Sequence, residues 1–366
     1  MESSAPQRGY HEMISAVSSA PEQLSRGLAL GLEAAQGLRE RHQLRRAQRL
    51  IIAGVGGSAF PAELLKLMLM ERGERCELSR SYELPLGPDE LGAEAALVIC
   101  CSFSGNTEET IASYQEALRR GLTTVVISSG GELERLARSA AQTHLKLSKP
   151  SSDFQPRAAT GLFLGALVGL LDGLGRCAGG AQELRAVAQE LSGLIADEAL
   201  TATGRALALE LEGRVPVFYA PWPYGPSLAQ VAKIKINENA KSPAFWAELP
   251  ELNHNELIGY RRLNEPLTAL LFLDDQAPPR MQQRAEATLK TLEELGLHCL
   301  TLTICSGEQR LARLLATLFI IDVASCELAL RAGLNPNEVA LLERFKRELG
   351  PFSSADEPSP SPRRAL

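Results

Sequence analysis

The sequence has few aromatic residues and fewer basic than acidic ones. Of its 366 residues only 5% are aromatic, so Leu, Ala, Val and Ile must build the hydrophobic cores. The formal net charge is -6, and an acidic chain argues against nucleic acid as a partner. A small anionic ligand is not excluded, because backbone dipoles bind phosphate even in an acidic protein.

Long apolar segments and targeting signals are also absent. The longest apolar stretch, LFLGALVGLLDGLG, is too short and too rich in glycine to span a bilayer. The first residues, MESSAPQRGYHEM, lack the basic and apolar regions of a signal peptide, so we expect a cytoplasmic protein without a membrane partner. The seven cysteines, an odd number, show no metal-type spacing, and we expect buried free thiols rather than a metal site.

Apolar strands alternate with amphipathic helices through most of the chain. Such alternation is typical of a parallel sheet covered on both faces by helices. The length suggests two domains. The sequence therefore predicts an α/β fold of two doubly wound subdomains, each a mostly parallel sheet flanked by helices. The predicted strands are RLIIAGV, AALVICC, TTVVIS and HLKL in the first half, and RVPVFYA, LTALLFLDD and CLTLTI in the second.

Composition divides the chain further. SKPSSDFQPR is a Pro/Ser stretch between the two halves, and PFSSADEPSPSPRRAL is a polar tail that we expect to be disordered. The predicted segments are an N-terminal helical segment at 1–46, a first subdomain at 47–155, a linker helix at 156–185, a second subdomain at 186–350 and the tail at 351–366.

Two strand-to-helix loops carry glycines and hydroxyl residues. CCSFSGNTEET, residues 100–110, follows one predicted strand, and GVGGSAF, residues 54–60, follows another. Open α/β sheets bind ligands at the carboxyl ends of their strands, where helix N-termini present free N–H groups. Gly105 lets the backbone approach a ligand closely. The two loops together predict a cradle for a phosphate dianion that needs no lysine.

Each loop alone also has an explanation without a ligand. Ser, Thr and Asn at a helix start are commonly caps, and Gly-Gly is commonly a turn. The presence of both loops at corresponding places in one sheet favours a ligand site. A dinucleotide is disfavoured, because GVGGSA lacks the final glycine of the fingerprint and no acidic residue clearly closes the next strand. The sequence also has no Walker lysine.

The stretch SFSGNTEE resembles the sugar isomerase (SIS) domain, which binds phosphosugars. In the second half, INENAKSPAFWAELPELNHNELIGY at residues 236–260 is similar to the signature region of the bifunctional phosphoglucose/phosphomannose isomerase family. The resemblance covers most of the chain, from about residue 45 to about residue 350. SGNTEE alone indicates only the superfamily, whereas NEN followed by NHNE is far more specific.

The resemblance implies a homodimeric enzyme that needs neither metal nor cofactor. Such an enzyme interconverts glucose 6-phosphate, and also mannose 6-phosphate, with fructose 6-phosphate. An enediolate intermediate is implied, and the active site is shared between the subunits. The first subdomain holds the phosphate of the hexose, and the residues in this role are Gly57, Ser58, Ser102, Ser104 and Thr107.

Four residues take catalytic roles by the same resemblance. Glu238 is the base that moves a proton between C1 and C2, and Arg157 steadies the enediolate. His254 helps to open the sugar ring and reaches the site from the other subunit, with Lys346 assisting ring opening.

Taken alone, these four residues also have ordinary explanations. Glu238 lies in KIKINENAK, which suits a solvated helix face, although asparagines on both sides are unusual in a helix interior and favour function. His254 and Arg157 lie in a loop and a linker, where such residues are commonly incidental. Lys346 lies in ERFKRE, a stretch typical of a solvated helix, and Arg344 and Arg347 compete with it.

Two other functions remain open from the sequence. A regulatory SIS protein that only binds a phosphosugar needs the hydroxyl loops but not Glu238, His254 and Lys346. Another SIS isomerase, such as a ketose amino-transferring one, usually carries an amidase domain that this sequence does not show. The family also has a hydroxyl residue in many members about two turns before the lysine of the last helix. Here Val339 lies in that region, which puts the mannose activity in question.

Overall fold

The computed structural model describes residues 4–38, 47–150, 154–262, 266–350 and 352. Its first half holds helices α1 and α2, followed by a regular alternation of strands and helices. Predicted strands of this half are confirmed, because uninterrupted apolar runs become buried strands. The elements are α1 Ala5–Ser18, α2 Ala20–Leu38, β1 Arg49–Ala53, α3 Phe60–Glu71, β2 Cys76–Ser79, β3 Ala96–Ser102, α4 Glu108–Arg119, β4 Thr123–Ser128, α5 Gly131–Ser139 and β5 Thr143–Lys146.

The remaining elements form three helices in the middle of the chain and a second alternation after them. The middle helices are α6 Thr160–Gly173, α7 Gly180–Ala196 and α8 Glu198–Leu211. The second half holds β6 Val215–Pro221, α9 Gln230–Lys235, β7 Phe245–Leu249, α10 Glu256–Gly259, β8 Leu267–Leu273, α11 Pro279–Glu294, β9 His298–Thr303, α12 Arg310–Arg331 and α13 Ala340–Leu349.

The strands form two sheets, and every strand pair among the described residues is parallel. The five-stranded sheet has the order β2-β1-β3-β4-β5, and the four-stranded sheet has the order β7-β6-β8-β9. The predicted α/β architecture with two parallel sheets is therefore confirmed. In the first sheet Ala53 pairs with Cys100, so the loops that follow β1 and β3 leave the same edge side by side.

Helix α6 is almost entirely buried, with 12 of its 14 residues inside the protein. Its apolar residues lie in one core with those of α2. The two helices touch through glycines, since a Cβ on Gly27 would lie 2.1 Å from the Leu162 carbonyl oxygen and one on Gly165 would lie 2.3 Å from that of Leu24. The short 3-10 turn Pro156–Ala158 immediately precedes helix α6, so the buried helix fixes the position of this turn.

Two strands were not predicted from the sequence. β2 has four residues, of which only Ser79 is buried, and β7 has only Leu249 buried. Both are edge strands, so they lack the continuous apolar run of a central strand. The end of the predicted N-terminal segment, residues 39–46, lies outside the described residues, as does the predicted tail apart from Phe352.

The cysteines and the helices agree with the composition. All seven cysteines are free thiols, and four of them are fully buried in the cores: Cys100, Cys101, Cys177 and Cys326. Within the described ranges, no helix combines the length and the apolar character that crossing a membrane requires.

Candidate active site

The first predicted phosphate loop is the turn that follows β1. Gly57 and Ser58 lie in the 3-10 helix Gly56–Ser58, and both are buried. The Ser58 hydroxyl accepts a hydrogen bond from the backbone N–H of Phe103 at 3.0 Å. Ser58 therefore connects the first loop to the second, as the adjacent strands β1 and β3 predict.

The second loop is held by its own hydroxyl groups. The Ser102 hydroxyl lies 2.8 Å from that of Thr107 and accepts from the Gly105 N–H at 3.1 Å. Gly105 has φ 73°, and a Cβ there would lie 1.8 Å from the Gly130 carbonyl oxygen, so no side chain fits. Ser104 is exposed, and its hydroxyl accepts from the Asn106 N–H at 3.2 Å. The loop is thus preorganised, with Ser104 at its surface.

Arg157 lies directly against the first loop. A Cβ on Gly57 would lie 2.8 Å from the backbone nitrogen of Arg157, so only glycine lets the two turns approach this closely. The Arg157 side chain is 1% exposed, although a surface arginine would have been unremarkable at this point of the sequence. The predicted phosphate residue Gly57 and the predicted catalytic residue Arg157 are therefore in contact.

The Arg157 guanidinium is surrounded by acceptors. Its Nε donates to Asn239 Oδ1 at 2.6 Å, and its Nη2 donates to the Pro336 carbonyl at 2.6 Å. Its Nη1 donates to Gln155 Oε1 at 3.1 Å and to Glu238 Oε2 at 3.3 Å. Burial lowers the pKa of Arg157, and the nearby Glu238 carboxylate opposes this effect. The guanidinium is fixed in orientation by these contacts.

Glu238 lies on a π-helical turn, Ile236–Ala240, that continues directly from α9. Such turns are rare and are frequent at functional sites. Glu238 and Asn239 are consecutive, yet both side chains reach the same guanidinium. Asn239 is fully buried, whereas the Glu238 side chain is 27% exposed. The carboxylate is thus held by one long hydrogen bond and stays accessible.

A second group of buried residues fixes this arrangement from behind. Asn239 Nδ2 donates to the Ser325 hydroxyl at 3.0 Å. Lys235 Nζ donates to the Arg157 carbonyl at 2.9 Å and lies 2.7 Å from Asp322 Oδ1. Burial raises the pKa of Asp322, and the adjacent Lys235 opposes that rise. Helix α12 therefore supports Arg157 in two ways. Asp322 pairs with the lysine that binds the Arg157 carbonyl, and Ser325 binds the asparagine that accepts from the guanidinium.

His254 and Lys346 are not brought to this cluster within the single chain. His254 is exposed at the end of the 3-10 turn Glu251–His254, which Asn253 fastens to α11 by a 2.8 Å bond to the Thr288 hydroxyl. Lys346 is exposed on α13 and pairs with Glu343 at 2.7 Å. Among the described residues, no hydrogen bond or ion pair joins either side chain to Arg157 or Glu238. Their catalytic roles stay predictions.

Several residues of the cluster were not predicted as site residues: Gln155, Lys235, Asn239 and Pro336. Asn239 had a local signal, since an asparagine inside a helix is unusual. Gln155 is a sequence neighbour of Arg157 without a recognisable motif, and Lys235 and Pro336 meet Arg157 only through the tertiary fold.

The fold and the loops define a class of protein that carries two SIS domains. Residues 43–161 match the SIS domain family, and residues 201–349 match the bacterial phospho-glucose isomerase C-terminal SIS domain. The crystal structure of tagatose-6-phosphate ketose/aldose isomerase from Escherichia coli superposes with a TM-score of 0.67. That likeness covers 92% of this chain and 96% of the other at 15% sequence identity, so it concerns the fold alone.

Sequence similarity is more specific. A bifunctional phosphoglucose/phosphomannose isomerase from Aquifex aeolicus is 32% identical over 82% of this chain and 90% of its own length. Another from Caldicellulosiruptor bescii is 28% identical over 92% of this chain and 98% of its own length. The chain belongs to the bifunctional phosphoglucose/phosphomannose isomerase family.

Proposed function

We propose that this protein is an aldose-ketose isomerase that interconverts glucose 6-phosphate and mannose 6-phosphate with fructose 6-phosphate. We propose that it needs no metal and works through a cis-enediolate. The observation that carries the proposal is the contact of Arg157 with both Gly57 in the phosphate loop and Glu238 on the π-helical turn. The backbone of Arg157 thus packs against the phosphate cradle, while its fixed guanidinium reaches an accessible carboxylate.

The phosphate serves as a handle in this mechanism. Its dianion is held by backbone N–H groups of the two loops and by the Ser104 hydroxyl, near the start of α4. Ser58, Ser102 and Thr107 shape the loops, because their hydroxyls are engaged in bonds within and between the loops. Binding energy from this end positions the distant C1 and C2 for reaction.

Proton transfer falls to Glu238. A carboxylate can take the proton from C2 of the aldose and return it to C1, which gives the ketose. Negative charge develops on the enediolate oxygens meanwhile, and Arg157 stabilises it. The Arg157 Nη1 bond to Glu238 is the longest of the four contacts, so the substrate oxygen replaces this contact at the least cost.

Ring opening is assigned to His254 and Lys346, with the site shared in a homodimer. Helix α13 supports a dimer, because none of its residues is buried in the single chain. Leu341, Phe345 and Leu349 are spaced four residues apart and are all more than half exposed. A second copy of the chain is the partner that this apolar face suits, and covering it brings Lys346 into an interface.

Mixing two inactive variants tests the shared site. Random mixtures of Glu238→Gln and His254→Ala should regain about a quarter of wild-type activity, since half of the dimers are mixed and each has one intact site. A mixture as inactive as its components would contradict donation of His254 by the partner subunit.

The activity itself is tested with purified protein, fructose 6-phosphate and a chelator. Glucose 6-phosphate and mannose 6-phosphate are measured separately by coupled assays, and Glu238→Gln is the matched control. We expect both products from the wild type and neither from the variant. Glucose 6-phosphate alone would mean that the fold and the base are right but the mannose branch is lost. Neither product, with fructose 6-phosphate still raising the melting temperature, would support a regulatory phosphosugar-binding protein instead.

A further inference from the structure

Lys241 ends the helical segment that carries Glu238, and its backbone is left-handed, with φ 57° and ψ 30°. Glycine is the residue usually favoured in this conformation at a helix end. Among the described residues other than glycine, only Ala141 shares a positive φ. A lysine in this conformation indicates that its side chain makes contacts that glycine could not provide.

The Lys241 ammonium bridges two backbone segments. Its Nζ donates to the Glu238 carbonyl at 2.5 Å and to the Pro336 carbonyl at 3.0 Å. The same Pro336 carbonyl accepts from Arg157 Nη2 at 2.6 Å. One backbone oxygen is therefore shared by Arg157 and Lys241, and Lys241 connects it to the turn that bears Glu238.

Three charged groups and one thiol lie close to Lys241. Arg157 faces it from the turn before α6, Glu238 from its own helical segment, Glu338 from the segment before α13 and the Cys326 thiol from α12. Burial, with the Arg157 charge second, lowers the pKa of Lys241 to about 8, and the other three groups oppose this. Below about pH 8 the side chain is a cation that makes charge-assisted hydrogen bonds, which weaken when it loses its proton.

We propose that Lys241 is a positioning residue that fixes Glu238 relative to Arg157 through their common link to the Pro336 carbonyl, and this role rests on the isomerase function proposed above. Lys241 acts through the backbone of its partners and does not itself transfer the substrate proton. The sequence alone does not indicate this role, because Pro336 lies 95 residues further along the chain.

Lys241→Gly distinguishes the role of the side chain from that of the left-handed backbone. Ala141→Gly is its matched control. Both changes relieve a left-handed residue, but only the first removes an ammonium group. We expect Lys241→Gly to keep the KM for fructose 6-phosphate and to lose about 10- to 100-fold in kcat, the range for misplaced catalytic groups. Ala141→Gly should keep wild-type kcat. A Lys241→Gly enzyme with wild-type kcat would overturn the proposal.

A crystal structure of Lys241→Gly tests the placement whatever the activity. We expect the contact between Arg157 Nη1 and Glu238 Oε2, 3.3 Å in the wild type, to be lost while the loop at Gly105 is unchanged. An unchanged contact would overturn the proposal. If the wild type forms no product from fructose 6-phosphate, the isomerase function fails, and this comparison alone still decides the role of Lys241.

The pH profile is the third test. As pH rises through about 8 the free enzyme loses the Lys241 charge, so wild-type kcat/KM should fall above that pH. Lys241→Arg carries a guanidinium that keeps its proton, so this limb should move to higher pH. An identical limb in both enzymes would contradict the assignment.

Discussion

Replacing Asn239 by alanine should separate the role of Arg157 in catalysis from its role in stability. Asn239 joins Arg157 Nε at 2.6 Å to the Ser325 hydroxyl at 3.0 Å, and the three residues are buried. The change removes one hydrogen bond to a charged group and one between neutral groups. We expect the free energy of unfolding to fall by about 2–4 kcal/mol.

Ser325→Ala is the matched control. It removes the neutral bond to Asn239 and the bond that the Ser325 hydroxyl donates to the Asp322 carbonyl at 2.9 Å, but it leaves the bond between Asn239 and Arg157 in place. The expected loss is about 1–3 kcal/mol, the usual range for two hydrogen bonds between neutral groups. Urea denaturation followed by circular dichroism measures both variants, and only Asn239→Ala removes a bond to the Arg157 guanidinium.

Kinetics complete the test. Without Asn239 the guanidinium loses its Nε acceptor and its fixed plane, so kcat should fall by about 10-fold or more, while the phosphate loops keep KM unchanged. Ser325→Ala should keep kcat within about 3-fold of wild type, because the Arg157 contacts remain. An equal loss of kcat in the two variants would refute the reasoning.

Other predictions concern the phosphate loops. Ser104→Ala should raise the KM for fructose 6-phosphate more than it lowers kcat, because we propose that the exposed Ser104 hydroxyl holds the phosphate and not C1 or C2. Steady-state kinetics check this, and a normal KM would contradict it. Gly57→Ala should cost roughly 1–3 kcal/mol of stability, because the alanine Cβ would lie 2.8 Å from the backbone nitrogen of Arg157. In urea denaturation Gly193→Ala, with open space around it in α7, is the control that should not destabilise.

The central strands could be predicted from the sequence because burial on both faces leaves a continuous apolar run. All seven residues of β3 are buried, and its predicted range is off by one residue at each end. β2 and β7 escaped prediction for the opposite reason, since they lie at sheet edges and are only partly buried. A partly buried edge strand lacks the continuous apolar run of a central strand, and β-strand propensity depends strongly on such context.

The site was predicted less completely than the fold. The two glycine- and hydroxyl-rich loops could be recognised in the sequence, because each is one continuous stretch that follows a predicted strand. The Arg157–Glu238 pair spans 81 residues of sequence, and only the family resemblance connected the two. The Pro336 carbonyl is a backbone group, so no residue pattern marks it as a partner of Arg157 and Lys241. Contacts of this kind arise from tertiary packing, which single-sequence periodicity does not encode.

The central claim is that Glu238 carries a proton between C1 and C2 of the sugar through an enediolate. Running the reaction from fructose 6-phosphate to glucose 6-phosphate in D2O tests it most directly, with mass spectrometry and NMR of the product. The Glu238 carboxylate is 27% exposed, so its proton exchanges with solvent, and we expect deuterium at C2 of glucose 6-phosphate. Glu238→Gln should abolish the incorporation together with turnover. Product formed without deuterium, or deuterium still incorporated by Glu238→Gln, would contradict the account.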